Sequence, residues 1–211
     1  MSEAERIIGL YQRHAGAWDK DRSLGGLYEK PWLDRFLALL PPHPSILDIG
    51  CGAAVPTARY FIEQRCAVTG IDSSPALISI CKQRFPDQTV PGQTFTGQRW
   101  FVADMRKLSL GRRFNGILAW DSFFHLCPED QRAMFPIFRN HAAPNAVLMF
   151  TSGDSYGEAI GNCQGEPLYH GSLDEAEYRS LLSQNDFDVV AYVARDSTCG
   201  DHTIWLAQLK S

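Results

Sequence analysis

The sequence predicts an α/β fold: a mostly parallel sheet flanked by helices and ending at one edge in an antiparallel hairpin. Three observations carry this reading. Short β-rich runs alternate with helical patterns along most of the chain, the pattern of successive strand–helix–strand units. The first such run ends in Gly50-Cys51-Gly52, a turn with little side-chain bulk that leads into a helix. The last two runs are separated only by the polar segment "RDSTCGDH". A parallel crossover takes about a dozen residues or more, so these two pair as a hairpin.

Length and composition suit one domain, since 211 residues with 45% apolar content can bury one sizeable core and are short for two. Residues 1–42, mainly "YQRHAGAWDKDRSLGGLYEKPWLDRFLALL", are helical in pattern and aromatic-rich, and are read as a cover that caps the sheet or a site. The core, 43–211, has strands expected at Ser45–Ile49, Ala67–Ile71, Trp100–Val102, Asn115–Trp120, Ala146–Thr151, Asp188–Val193 and Thr203–Gln208. Helices are expected near Thr57–Gln64, Pro75–Arg84, Pro128–His141 and Leu173–Gln184. Val55-Pro56 delays the first of these, because proline favours the first helical position and steers its predecessor away from helical geometry. Pro136 should kink or end its helix, since it lacks a backbone N–H. "PDQTVPGQTFTGQR" reads as a polar loop.

Several function classes are disfavoured. Net charge is -4 and the 20 basic residues form no run, so the electrostatic footprint of a nucleic-acid binder is missing. "MSEAERIIGL" carries acids early and no long apolar core, unlike a signal or transit peptide, and no run approaches transmembrane length. Cysteines at 51, 66, 81, 127, 163 and 199 form no C-x-x-C pair, and read as reduced core thiols in a cytoplasmic protein with no metal site. The exposed sheet edge at the hairpin leaves both a monomer and a homodimer open.

Chemistry concentrates at the carboxyl ends of the first strands, where open α/β sheets bind ligands. Gly50 and Gly52 in "ILDIGCGAAVP" make either a tight strand-to-helix turn or a cradle for a cofactor's close approach. A dinucleotide cradle would want glycine or alanine at position 55; Val55 stands there, which disfavours a nicotinamide or flavin cofactor. Asp72 in "TGIDSSP" lies about twenty residues beyond the glycines, where a carboxylate can accept both hydroxyls of a ribose. Asp104 and Met105 in "FVADMRKL" fall at the same sheet edge, where an acid can accept from an exocyclic amine and a main-chain amide can donate to a ring nitrogen. Each aspartate alone is commonly a helix cap or solvated turn. Both in register with the glycines point to a ligand.

On these residues the chain resembles the class I S-adenosylmethionine-dependent methyltransferases over nearly its whole length. "LDIGCGAAVP", "GIDSSPALI", "FVADMRKL" and "FNGILAWDSFFHLCPEDQRAMF" resemble that family's first four motifs in order and spacing, "APNAVLMFTSG" its fifth strand and the tail its closing helix and reversed hairpin. The resemblance implies a Rossmann-like three-layer sandwich with a seven-stranded sheet of order 3-2-1-4-5-7-6. It implies S-adenosylmethionine as cofactor, S-adenosylhomocysteine as product and a small-molecule methyl acceptor. Gly50, Cys51 and Gly52 would lie along the cofactor's amino-acid part, with Asp48 supporting the loop or the ammonium. Asp72 would hold the ribose and Ser73 its rim, Asp104 and Met105 would read adenine, and Trp120 and Asp121 would sit near the methionine end. Tyr11 and Trp18 resemble an aromatic pair that closes over the cofactor. Ala54 stands where relatives often carry glycine or serine, and would serve the same clearance.

His125 follows Asp121 on the acceptor side and is either a general base or a histidine fixed by a backbone hydrogen bond before Pro128. Tyr169, His170 and His202 are further candidates. The aromatic cluster Trp120, Phe123 and Phe124 lines an acceptor pocket or is core, and Asp154 and Glu158 sit in a loop that is a lid or simply solvated. Three alternatives stand beside this reading: a macromolecular methyltransferase, a dehydrogenase, and a non-catalytic module of the same fold. "WDSFF" stands where the amino-methylating nucleic-acid enzymes carry a polar-Pro-Pro-aromatic tetrad.

Overall fold

Strand residues point alternately to two sides of the sheet, and in this chain both sides are apolar, so the sheet must be covered on both faces. The computed structural model describes residues 2–86 and 98–210. Its elements, in chain order, are α1 (Glu3–Leu24), α2 (Lys30–Ala38), β1 (Ser45–Ile49), α3 (Thr57–Glu63), β2 (Ala67–Asp72), α4 (Pro75–Arg84), β3 (Arg99–Val102), β4 (Phe114–Ala119), α5 (Pro128–His141), β5 (Ala142–Ser152), β6 (Gly157–Cys163), β7 (Glu166–Ser172), α6 (Glu175–Gln184), β8 (Phe187–Asp196) and β9 (His202–Leu209). The polar loop expected before β3 falls, at 87–97, outside the described residues.

Leu47, Ile117, Leu148, Phe150 and Trp205 face one side, packed on Phe135 and Phe138 of α5 and on Tyr178 and Leu182 of α6. Their neighbours Ile46, Val68, Leu118, Val147 and Met149 face the other, against Phe36 of α2, Phe61 of α3 and Ile78 of α4. The sheet order is β3-β2-β1-β4-β5-β9-β8. With β6 and β7 set aside this is the 3-2-1-4-5-7-6 order of a Rossmann-like α/β fold. β1 to β5 pair in parallel, while β9 runs antiparallel to both β5 and β8. A parallel sheet puts its carboxyl ends on one edge, and β4 lies beside β1 rather than β3, so the chain changes direction at β1. That switch opens the crevice in which ligands bind.

Two expectations need correction. The segment after β5 is not only loop: β6 and β7 form a separate two-stranded antiparallel hairpin. Its two-residue turn has Gln164 and Gly165 both at positive φ, as a primed hairpin turn requires. β6 carries a mostly exposed, weakly alternating sequence, so its strand signal is faint. Second, of the two outcomes expected at Pro136, ending is not the one found: α5 spans Pro128–His141, the bounds expected, and runs through the proline. Met134, Phe135 and Phe138, all fully buried around that proline, hold it helical despite the lost hydrogen bond.

The aromatic cluster divides. Phe123 is core, its ring 5.2 Å from Phe150, 5.8 Å from Phe138 and 6.0 Å from Phe135. Phe124 is half-buried beside His170, and Trp120 stacks on His202. Among the described residues no helix is long and apolar enough to cross a membrane. Phe123→Ala should cost about 3–5 kcal/mol of stability, as removal of a buried aromatic does. Urea unfolding measures it; a cost below about 1 kcal/mol would show that the ring lines an open pocket instead.

Candidate functional site

The carboxyl ends of β1 to β4 converge on one cleft, and its floor begins with the backbone of the β1–α3 turn. Gly50 and Cys51 both donate their N–H to the Ile71 carbonyl, at 2.8 and 2.9 Å. Gly50 has φ +75°, and a Cβ there would lie 2.3 Å from Ser122 Cβ, so only glycine fits. Gly52 has φ +53°, and a Cβ would stand 3.2 Å from Trp18 Nε1. Ala54 is also left-handed, at φ +62°, but it is buried in the layer beneath α2 and α3 rather than along the cleft.

Asp72 ends β2 and ties this turn to the next. Its Oδ2 accepts from Gly52 N at 3.1 Å and its Oδ1 from Ser74 N at 2.8 Å. A carboxylate has about four lone-pair sites, so acceptor capacity remains on its cleft side. Burial pushes its carboxyl up to about 6, opposed by the amides of Ser74, Gly52 and Ser73. Asp48 is more deeply buried, and desolvation with the charge of Asp72 pushes it up to about 7.

The cleft encloses about 760 Å³, its open mouth included, within the range of roughly 300–1,000 Å³ for small-molecule sites. Tyr11, Trp18, Gly50, Gly52, Asp72, Ser73, Asp104, Met105, Asp121 and His125 all line it. Asp48, Cys51 and Trp120 line an adjoining recess of about 380 Å³, which shares Trp18, Gly50, Gly52 and Asp121 with the main cleft. The residues singled out from the sequence as cofactor-binding, together with His125, thus line these two adjoining spaces. Tyr169 and His170 do not: the Tyr169 ring packs with Ile7 and Leu10, and His170 opens onto a separate groove with Asp154 and Glu158. His202 lines neither space and touches the site through Asp121 and the Trp120 ring.

Hydrogen-bond partners fix several protonation states. The Tyr169 carbonyl, 2.8 Å from His125 Nδ1, can only accept, so Nδ1 carries the hydrogen. His125 Nε2 then accepts from the Tyr11 hydroxyl at 2.8 Å. Burial pushes His125 down to about 4, leaving it neutral at physiological pH. His202 is the opposite case: Nδ1 faces the Cys199 carbonyl and Nε2 faces Asp121 Oδ1, each at 2.7 Å. Both partners can accept, an arrangement that favours the protonated ring. Burial lowers its pKa, but Asp121 outweighs that and the net shift is upward. Tyr28 adds a hydroxyl to Asp121 Oδ2 at 3.3 Å.

Asp104 is held by Arg106, which donates from its main-chain N, Nε and Nη2 at 2.7–3.1 Å. Burial raises the Asp104 carboxyl, yet the Arg106 bonds hold it below the usual range. Arg106, directly after the Asp104–Met105 pair, and Arg22, which lines the recess and sits in no motif, are not singled out by the sequence; their roles come from spatial neighbours. Ala4, Ile7 and Ile8 of α1 add an apolar roof.

A family model described as a methyltransferase domain matches residues 22–192. The chain is 25% identical over 171 residues to a carboxy-S-adenosyl-L-methionine synthase of Vibrio campbellii, covering 80% of this chain and 68% of that protein. It is 28% identical over 111 residues to a dTDP-3-amino-3,6-dideoxy-alpha-D-glucopyranose N,N-dimethyltransferase of Streptomyces fradiae, covering 52% of this chain and 39% of that one. Among solved structures, the Burkholderia thailandensis 1,6-didemethyltoxoflavin-N1-methyltransferase, with bound 1,6-didemethyltoxoflavin and S-adenosylhomocysteine, superposes with a TM-score of 0.69 at 18% identity, over 99% of this chain and 87% of that one.

Asp48 makes the site's pH response testable. Its native pKa, about 7, lies above the 3.8 of an unperturbed aspartate, so between those values the fold retains a proton that the unfolded chain has released. Stability therefore falls as pH rises through that window, by at most ~1.4 kcal/mol per pH unit. His125, with its lowered pKa, acts in the opposite sense below about 6.5, so the informative quantity is the difference from Asp48→Asn. Denaturation of both proteins between about pH 5 and 8 should show the variant gaining on wild type as pH rises; a constant difference would mean that Asp48 is ionised throughout.

Proposed function

The chain belongs to the methyltransferase domain family, and from that premise we propose that it transfers a methyl group from S-adenosylmethionine to a small-molecule acceptor, releasing S-adenosylhomocysteine. The observation that carries this reading is the convergence of Gly50, Gly52, Asp72 and the Asp104–Met105 turn on one cleft roofed by α1. The residues present fit such a group. Bare backbone at Gly50 and Gly52 leaves room beside Trp18, and Asp72 keeps free lone pairs for two ribose hydroxyls. Met105 lies beside that backbone at the edge where adenine would rest, while Ile7 and Ile8 give the apolar cover a purine needs.

When bound, S-adenosylmethionine supplies a methyl group on a positively charged sulfur, already electrophilic. The work left to the chain is alignment and exclusion of water. Gly50, Cys51 and Gly52 would carry the amino-acid part, Asp48 and Asp121 its ammonium, Asp72 and Ser73 the ribose. Asp104 is so fully engaged by Arg106 that we assign it to shaping the Met105 turn, with any contact to an adenine amine left to a remaining lone pair. Tyr11 and Trp18, in edge contact at 5.2 Å, would close over the reacting centre. His125 is held by the Tyr169 carbonyl, one of the two roles considered for it, and we read it as positioning Tyr11 rather than as a strong base.

The acceptor is read as a small molecule because the cleft is roofed and acid-rich, and the named relatives include enzymes of an amino sugar and of a toxoflavin precursor. Six free thiols agree with a cytoplasmic setting. Calorimetric titration with S-adenosylmethionine, S-adenosylhomocysteine and NADH tests the reading. Binding of the first two in the micromolar range, without NADH, is expected. Binding of NADH alone would overturn it in favour of a dehydrogenase, and binding of none in favour of an interaction module. Asp72→Ala should weaken S-adenosylhomocysteine by about 1.5–3 kcal/mol with folding intact, because hydrogen bonds to a charged group are lost; unchanged affinity would remove Asp72 from the site.

A further inference from the structure

A groove opens beyond His125, and the cofactor has no use for it. The end of β5 forms one wall and β7 another, and they meet so closely that a Cβ on Gly153 would stand 2.8 Å from Ser172 Cβ. The space encloses about 800 Å³, its mouth included, within the roughly 300–1,000 Å³ of small-molecule sites. At its inner end aromatic rings stand between it and the main cleft. His125 borders the cleft and His170 the groove, stacked with centroids 5.2 Å apart, and Phe124 meets both in edge contact at 4.8 and 5.1 Å. Tyr11, read above as closing over the reacting centre, bonds to His125. From that centre to the groove the path is therefore Tyr11, His125, His170.

The two histidines differ in what they have left to offer. Both nitrogens of His125 are engaged, by the Tyr169 carbonyl and the Tyr11 hydroxyl. His170 has no hydrogen-bond partner among the described residues; burial holds its pKa below the ordinary histidine value, and the charge of Asp121 pulls the other way. A neutral imidazole keeps one nitrogen lone pair, so His170 brings to the groove an acceptor that the fold does not use.

The rest of the wall sets the ligand's charge. Asp154 and Glu158 line the groove, and among the described residues that line it there is no lysine or arginine. Arg195 reaches Asp154 at 3.8 Å, but it is 69% exposed and too well solvated to cancel that charge. Phe124 and Tyr156 add ring faces, which attract cations as well as flat apolar groups. A carboxylate or phosphate would be repelled here, whereas an ammonium finds a lone pair, a countercharge and aromatic faces together.

We propose that this groove seats the methyl acceptor, that the acceptor is an amine carried on a flat apolar body, and that His170 selects it by accepting an N–H from its nitrogen. This rests on the methyltransferase reading above. It holds the nitrogen at the ring wall that borders the reacting centre, and it leaves the main cleft to the cofactor.

The test uses the full chain saturated with S-adenosylhomocysteine and three probes of one shape: phenethylamine, phenethyl alcohol and hydrocinnamate. Calorimetry should rank the amine above the alcohol by about tenfold, the worth of a hydrogen bond to a charged group, with the acid weakest. With isotope-labelled histidine, phenethylamine should shift the ring-nitrogen resonances of His170. His170→Phe, which keeps a ring against His125 but removes the nitrogens, should weaken the amine and spare the alcohol, and Asp154→Asn combined with Glu158→Gln should erase the preference between them. Equal binding of all three probes, or displacement of S-adenosylhomocysteine by the amine, would overturn the proposal. If His170→Phe fails to fold, the wild-type His170 resonances decide: unmoved by the amine, they refute this assignment alone. Failure of S-adenosylhomocysteine itself to bind would instead refute the methyltransferase reading.

Discussion

The hydrogen bond from Gly52 N–H to the Asp72 carboxylate is the joint on which the site depends. It exists because β1 and β2 pair in parallel with Ile49 opposite Ile71, which brings the turn after one strand against the acid that ends the next. The same register lets the Ile71 carbonyl take two N–H groups from Gly50 and Cys51. Three backbone donors thus find partners in a loop that forms no regular structure, as buried backbone must. Positive φ at Gly50 and Gly52 is the condition for this path, and Ser122, bonded to the Ile49 carbonyl at 2.6 Å, closes the space that a side chain at Gly50 would need. Fold and site are therefore not separable here.

Around that joint stand four aspartates in a poorly solvated crevice, and each is accommodated differently. Asp72 is satisfied by main-chain amides, Asp104 by the fork of Arg106, and Asp121 by the His202 ring and a tyrosine hydroxyl. Asp48 is pushed up furthest, to about 7, by burial and by its neighbour Asp72. Taking a carboxylate out of water is costly unless it is paired.

The legible part of this structure was the part written in local pattern. Every strand of the seven-stranded sheet was anticipated, because each is either a β-rich run between turn residues or, for β8 and β9, separated by too few residues to cross over. The glycine turn, Asp72 and the Asp104–Met105 turn were anticipated for the same reason: they sit at fixed places on strand ends. What local pattern could not convey was pairing at a distance. The β6–β7 hairpin has a faint exposed strand and a Gln-Gly turn in place of the usual Asn-Gly. His202 owes its upward shift to Asp121, 81 residues away, and His125 its tautomer to a carbonyl 44 residues away. Arg22 is one basic residue among several in α1 until Glu29 folds beneath it.

The attachment of α1 shows why that distant information matters to function. This helix of 22 residues buries only Ile7, Leu10 and Ala15, too little apolar surface to make it part of the core. It is fastened instead by polar side chains: Gln12 to the start of α4, Asp19 to Arg84, Arg13 and His14 to Glu166 of β7, and Tyr11 to His125. Its helical geometry breaks at His14, so the half that roofs the main cleft and the half that bears Trp18 and Arg22 meet at a joint. Partly exposed ion pairs hold weakly and exchange readily with water. α1 therefore covers the cleft through a small apolar underside and a polar rim, where the sheet beneath it is held by its core.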